Sequence, residues 1–257
     1  MRKSYTKKLI ETIEGKLSLS EKFHNASKNS KLASLNLSDI PESWIKIHFK
    51  TYPRLNRIQL NSKIGRDKII NHIINSRRSR RNFSGKPVSY NDFSYLLYSS
   101  CGLRDLGKSI SDTRRPYPSA GGRYPLEIYP LILNCEGIKN GLYHYNVVEN
   151  SLEILLEEDL RNWLSIAFGK EEWLENAAVL FIITGVLGRT HIKYSDRGYR
   201  YMLIEAGHLA QNLCLLATEL GLGTCPIGGF IDDKVNELLD VEFQKEFSLY
   251  VIAVGKL

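Results

Sequence analysis

Four arginines fall within five residues at Arg77-Arg78-Ser79-Arg80-Arg81. Guanidinium groups crowded in this way are costly to bury without an anion. Their planar forks match phosphate oxygens, and Ser79 adds a hydroxyl donor, so the stretch reads as a phosphate clamp. A solvated basic face would use the same residues. A second stretch is Arg114-Arg115-Pro116-Tyr117-Pro118-Ser119-Ala120-Gly121-Gly122-Arg123-Tyr124-Pro125. It is basic at both ends and small in the middle. Ser119, Ala120, Gly121 and Gly122 leave the backbone open to a flat or phosphorylated ligand, and three prolines fix the path around them. A plain surface turn is the competing account. Cys225-Pro226-Ile227-Gly228-Gly229-Phe230 is a second small-residue loop, whose amides suit the edge of a ring system unless it is only a buried turn. Lys193-Tyr194 is a basic–phenolic pair in the polar run 191–200, and either member can handle a proton where burial or a neighbouring cation favours its deprotonated form.

Other chemistries lack their motifs. There is no Gly-x-Gly-x-x-Gly fingerprint, no phosphate loop ending in Gly-Lys-Ser/Thr and no Gly-x-Ser-x-Gly elbow. Glu205 and His208 stand about one helical turn apart without a third partner, so no metal is expected there and a structural Glu–His contact is. Cys101, Cys135, Cys214 and Cys225 lack zinc-ligand or redox spacing and read as reduced, mostly buried thiols of a cytoplasmic protein. No apolar run is long enough to span a membrane, and no apolar signal core follows the first lysines. The net charge of +7 favours acidic or phosphorylated partners without singling out nucleic acid.

The 257 residues suffice for a sizeable core. Residues 1–64 read as an amino-terminal extension that covers a partner, recruits substrate or merely packs on the main domain. Within it, residues 5–16 suit a short helix, and Trp44, Ile45, Ile47 and Phe49 offer apolar anchors. The main domain is expected over 65–257. Ile69, Ile70, Ile73 and Ile74 recur at helical spacing, and Phe93, Leu96 and Leu97 face a core on a helix ended by Gly102. Strands are expected at 126–133, 177–184 and 248–254, with a hairpin of 141–147 and 151–155 around Glu149-Asn150. Short helices fit 163–168 and 173–174. The longest helix, 200–220, is apolar on most faces and stops at Gly221. Another helix fits 232–239. Strands and helices alternate without a regular βαβ repeat, so the fold class is α+β.

Taken together, these segments resemble the nitroreductase-like flavin family, and more closely its SagB-type branch of azoline dehydrogenases from peptide natural-product biosynthesis. The resemblance runs from about Gly65 to the end, with Phe23-His24 and Lys50-x-Tyr52 also fitting the branch. Besides the arginine cluster through Asn82-Phe83 and the Arg115–Pro125 stretch, it rests on Lys193-Tyr194-Ser195-Asp196-Arg197-Gly198-Tyr199-Arg200-Tyr201, on Gly207-His208-Leu209-Ala210-Gln211-Asn212-Leu213 and on Leu222-Gly223 through Gly229-Phe230. It implies a nitroreductase-like α+β fold with a central, mainly antiparallel sheet flanked by helices, and a homodimer with two FMN sites at the interface. Arg77, Arg78 and Ser79 would meet phosphate and ribityl, helped by Arg81. Pro118, Ser119, Ala120 and Gly121 would lie along the flavin of the other subunit, with Ile227, Gly228 and Gly229 near its reactive edge. Lys193 and Tyr194 match the pair associated with oxidation of a peptide thiazoline or oxazoline to thiazole or oxazole. Dioxygen is the implied final acceptor. The implied partners are an azoline-containing precursor peptide and a cyclodehydratase complex, with no nucleic acid, membrane or metal. Family members often carry a basic segment after the last strand. Here Gly255-Lys256-Leu257 stands in that place, so the arginines do most of that work, Lys256 helps, or FMN is held less tightly. An NAD(P)H-dependent reductase and a non-catalytic scaffold in a modification complex are the alternatives.

Overall fold

The computed structural model describes residues 19–29, 54, 56–60, 69–104, 114–242 and 245–257. The expected helix at 5–16, the anchors at 44–49, the Lys50-x-Tyr52 motif and the domain boundary near Gly65 lie outside the described residues.

The sheet grows out of one strongly apolar strand. β4 (Val179–Val186) is buried along nearly its whole length. Its side chains alternate between two cores: Val179, Phe181 and Ile183 enter one, Leu180 and Ile182 the other. Such a strand needs cover on both faces and a partner on both edges. It pairs antiparallel with β1 (Leu126–Ile132) on one side and β6 (Glu246–Lys256) on the other. β2 (Gly141–Asn146), β3 (Ser151–Leu156) and β5 (Leu222–Ile227) complete a six-stranded antiparallel sheet in the order β3-β2-β1-β4-β6-β5. Pro130 is tolerated inside β1 because β2 pairs with β1 only at Leu131 and Ile132. Asn150, at φ 47°, makes the expected β2–β3 turn.

Helices cover both faces. On the first lie α3 (Tyr90–Cys101) and α6 (Arg197–Glu219). Ser89 caps α3, its hydroxyl accepting from the Asp92 amide at 3.0 Å. Met202, Ala206, Leu209, Leu213 and Ala217 form the buried stripe of α6. On the second face lie α4 (Arg161–Phe168) and α7 (Asp232–Leu239). α2 (Ile69–Ser76) touches α6, α5 (Leu187–Tyr194) leaves the end of β4, and α1 (Leu19–Ser27) docks on the α5–α6 turn. Among the described residues, no helix is long and apolar enough to cross a membrane. All four cysteines are buried free thiols.

Two elements depart from expectation. α5 overlaps the start of the polar run 191–200: its buried residue, Thr190, is itself polar, so the helix leaves little apolar signal. β5 occupies the start of the run read as a turn and loop. Gly223 and Pro226 lower its strand propensity, but Gly223 lets Phe83 and Arg80 pack within about the contact distance a side chain would need.

Candidate active site

The register brings several candidate segments to one end of the sheet. Leu126 pairs with Gly185 and Val186 with Glu246, so β1 and β6 begin where β4 finishes. β5 runs out toward the same end, with Ile227 opposite Val251. The Pro118–Gly122 turn, α5 with Lys193 and Tyr194, and the Ile227-Gly228-Gly229 loop therefore emerge together.

The turn is built by local bonds. Ser119 Oγ accepts from the Tyr124 amide at 2.8 Å, and the Gly122 amide donates to the Ser119 carbonyl at 3.0 Å. Gly121 takes φ 62°, which glycine adopts without strain. Arg115 braces the turn from below, donating to Tyr117 Oη at 3.1 Å and to the Leu126 carbonyl at 3.3 Å. The turn is also bound to α5. Arg123 Nε donates to the Arg189 carbonyl at 2.7 Å, Arg189 donates to the Tyr124 carbonyl at 3.1 Å, and Arg189 pairs with Glu127. Burial alone would push the Glu127 carboxyl up, but the His144 and Arg189 contacts outweigh it and hold it below its ordinary range.

This bracing puts the base candidates on the turn. A Cβ added to Gly121 would stand 2.6 Å from Tyr194 Oη and 2.8 Å from Lys193 Nζ. Both polar heads thus rest against the Gly121 backbone of their own chain. Lys193 Nζ is 5.4 Å from the Tyr194 ring centroid, and Tyr201 meets that ring edge-on at 5.0 Å. Lys193 is exposed and Tyr194 half-buried, so a substrate can reach them.

The arginine cluster lies along the outer edge of β5. Ser79 bridges Thr224 in parallel fashion, and the Arg80 amide donates to the Thr224 carbonyl at 2.7 Å. Arg77 is half-buried, while Arg78, Ser79, Arg80 and Arg81 are exposed. Arg78 donates to the Asn75 and Arg77 carbonyls at 2.8 Å, and Arg81 sits 5.9 Å from the Trp173 ring centroid. Among the described residues none of these arginines pairs with a carboxylate. Among the described residues, the buried hydroxyl of Thr224 beside them makes no hydrogen bond of good geometry. Nor, among those residues, does anything beyond the adjoining chain lie within 4 Å of where side chains would begin on Gly228 and Gly229. A cluster of unneutralised guanidiniums, an unsatisfied hydroxyl and an open glycine cradle fit a phosphorylated, flat cofactor. Lys256 pairs with Leu222 at the far end of β5, where its carbonyl accepts from the Ser84 amide at 2.8 Å. Among the described residues, no hydrogen bond joins this group to the Gly121–Lys193–Tyr194 group within one chain.

Glu205 is a residue whose importance the sequence reading misplaced. Expected to contact His208, it does not: Glu205 is buried and His208 exposed. Among the described residues neither Glu205 oxygen makes a hydrogen bond of good geometry, although the Ser119 side chain and the Ala120 amide lie close by. A helix turns about 300° in three residues, enough to split the two across the boundary of a narrow buried stripe. Burial pushes the Glu205 carboxyl up to about 7, although Ser119, Arg115 and the Ala120 amide favour its charged form. Because the folded-state value lies above the unfolded one, the folded chain binds the extra proton between these values. Stability from this group is therefore full below about pH 4.5 and lost as pH rises through about 7. Replacing Glu205 with Gln should remove a penalty of up to roughly 3 kcal/mol at pH 8 and change little at pH 4. Denaturant unfolding at both pH values checks this; parallel pH dependence in the two proteins would refute it.

Comparison with known proteins places these features in context. The model of the nitroreductase family matches residues 74–256. A protein of Methanocaldococcus jannaschii that carries a nitroreductase name is 35% identical over 186 residues, covering 72% of this chain and 89% of that protein. The microcin B17-processing protein McbC of Escherichia coli is 31% identical over 134 residues, a match spanning 50% of this chain and 49% of McbC, so the chain spans about half that relative's length. Among solved structures, the E. coli microcin synthetase McbBCD complex with truncated pro-MccB17 bound shares the fold at TM-score 0.70 and 23% identity, over 92% of this chain and 91% of the other. A nitroreductase-named structure from Anabaena variabilis gives TM-score 0.62 at 27% identity, over 73% of this chain and 38% of that one.

Proposed function

Because this chain belongs to the nitroreductase family, we propose that it is an FMN-dependent dehydrogenase that oxidises peptide thiazolines or oxazolines to thiazoles or oxazoles. The observation that carries the reading is the Lys193–Tyr194 pair resting on Gly121, beside a turn with the small-residue surface a flavin needs. Its relation to a microcin-processing protein supports a peptide substrate.

Arg77 and Arg78, with Arg81 and Lys256 as helpers, would hold the phosphate, and Ser79 the ribityl chain. Ile227, Gly228 and Gly229 would border the reactive edge. Pro118, Ser119, Ala120 and Gly121 of a second copy would lie along the ring. A homodimer suits the apolar side chains left exposed on α2 and α6: Ile69, Ile70, Ile74, Leu203 and Ile204. When bound, FMN supplies a two-electron acceptor. Lys193 or Tyr194 removes the azoline ring proton next to the carbonyl-bearing carbon, and the gain of aromaticity favours the product. Half-buried Tyr194, with Tyr201 edge-on to its ring, would help orient the substrate, while exposed Lys193 would exchange protons with solvent. Dioxygen is the final acceptor, and the precursor peptide arrives through a complex with its cyclodehydratase.

A second reading is favoured by the M. jannaschii relative: an NAD(P)H-dependent reductase of nitro, quinone or unsaturated peptide substrates. One anaerobic experiment separates the two. An azoline peptide should bleach the flavin absorbance and emerge lighter by the mass of two hydrogen atoms, while NAD(P)H reacts slowly. Rapid bleaching by NAD(P)H with an unaltered azoline peptide would reverse the assignment.

A further inference from the structure

Ser195 follows the base candidates directly and has φ 49° and ψ −142°. Such a backbone is strained for a residue with a side chain, by roughly 1–3 kcal/mol, so something must hold it. Ser195 caps α5 through its amide, which donates to the His191 carbonyl at 2.8 Å. The Gly198 amide in turn donates to the Ser195 carbonyl at 2.9 Å, so local backbone bonds close the reversal into α6, but these bonds tie it to no other element. Gly198 permits the reversal, since a Cβ there would meet Thr190 at 3.0 Å.

The next residue, Asp196, occupies the N-cap position of α6 yet makes no side-chain cap bond to that helix. Its carboxylate is turned to α1. Asp196 Oδ1 accepts from the Ser20 amide at 3.2 Å and from the Ser20 hydroxyl at 2.9 Å. One helical turn on, His24 is buried; its Nδ1 lies 3.0 Å from Tyr199 Oη and its ring 4.4 Å from that of Phe247. At its far end α1 reaches the segment behind Gly229. Lys28 pairs with Asp233 at 2.7 Å, the Asn29 amide donates to Asp232 at 2.9 Å, and the Asn29 side chain donates to the Phe230 carbonyl at 3.2 Å. Among the described residues, the face that α1 buries is polar, while Leu19 and Phe23 stay exposed. A helix docked only to hide apolar surface would show the reverse.

We infer that α1 is a strap that holds the strained Ser195 turn, and with it Lys193 and Tyr194, in a fixed position relative to the segment following Gly228-Gly229. Ser20 and Asp196 are its positioning residues. Their catalytic consequence rests on the function proposed above, but the strap itself does not.

The test uses the full-length protein with FMN supplied. Hydrogen exchange at residues 194–198 should quicken at least about tenfold in Asp196→Ala, where two bonds to a charged acceptor vanish, and less in Ser20→Ala, where one remains. FMN retention should stay within about twofold, because the arginine segment is untouched. Unchanged exchange in Asp196→Ala would overturn the strap. Placing Ser195→Gly in both backgrounds isolates the strain, since glycine adopts φ 49° freely. Asp196→Ala should then quicken exchange by a smaller factor; an equal factor would show that α1 does not restrain Ser195. Azoline oxidation should fall with loosening of the turn. A loosened turn with full oxidation would uphold the strap and count instead against Lys193 and Tyr194 as the base pair.

Discussion

Replacing Arg77 and Arg78 together with alanine should weaken FMN binding by about two to four orders of magnitude, since each charge-assisted bond to phosphate contributes roughly 1.5–3 kcal/mol. The expectation follows from what the arginines lack. They stand at the β5 edge, where Arg78 donates to backbone carbonyls and neither arginine has a carboxylate partner among the described residues. A bound phosphate would therefore gain their full attraction without displacing an ion pair. Arg81 is partly occupied by Trp173, so its replacement alone should cost less. Lysine in place of both should recover only part of the loss, because an ammonium cannot form the planar fork. Flavin fluorescence titration measures all four proteins. Wild-type affinity in the double alanine variant would remove this segment from the phosphate site.

The second large effect concerns the pair on the turn. Lys193→Met and Tyr194→Phe should each retain bound FMN, while the more important of the two lowers azoline oxidation by about 10²–10⁴, the range for a lost general base. The two replacements are not equivalent. Tyr194→Phe keeps the ring that Tyr201 abuts edge-on, so its effect reports the hydroxyl. Lys193→Met keeps an apolar stem of similar reach and removes only the charge. Single-turnover assays with flavin content measured in parallel separate chemistry from cofactor loss. Undiminished turnover in both variants would dismiss the pair.

Much of this arrangement was legible in the chain, and the reasons differ by element. β4 and α6 announce themselves because burial on two faces or along one stripe leaves a strong apolar record. The arginine cluster was legible because like charges at such density need a counter-charge. α5 and α1 were not, since both dock through polar contacts: Arg189 and Arg123 for the one, Ser20 and His24 for the other. Such bonds leave no periodic signature. β5 was hidden by Gly223, which allows close packing, and by Pro226, which an edge strand tolerates. Glu205 was read beside His208, its neighbour on a helical wheel. The better signal was its place between Met202 and Leu209, an acid set in an apolar stripe. Contacts of α1, Lys28 and Asn29 with residues 175 to 205 positions away follow no local rule and emerge only from the fold.

The bonds between Arg123, Tyr124 and Arg189 have a consequence for anyone wishing to redirect this scaffold. Residues 115–126 and 186–201 interlock through them, so neither can be exchanged alone without severing the other's footing. A chimera would have to transplant both pieces as one cassette. Natural variants would be under the same pressure to drift in concert.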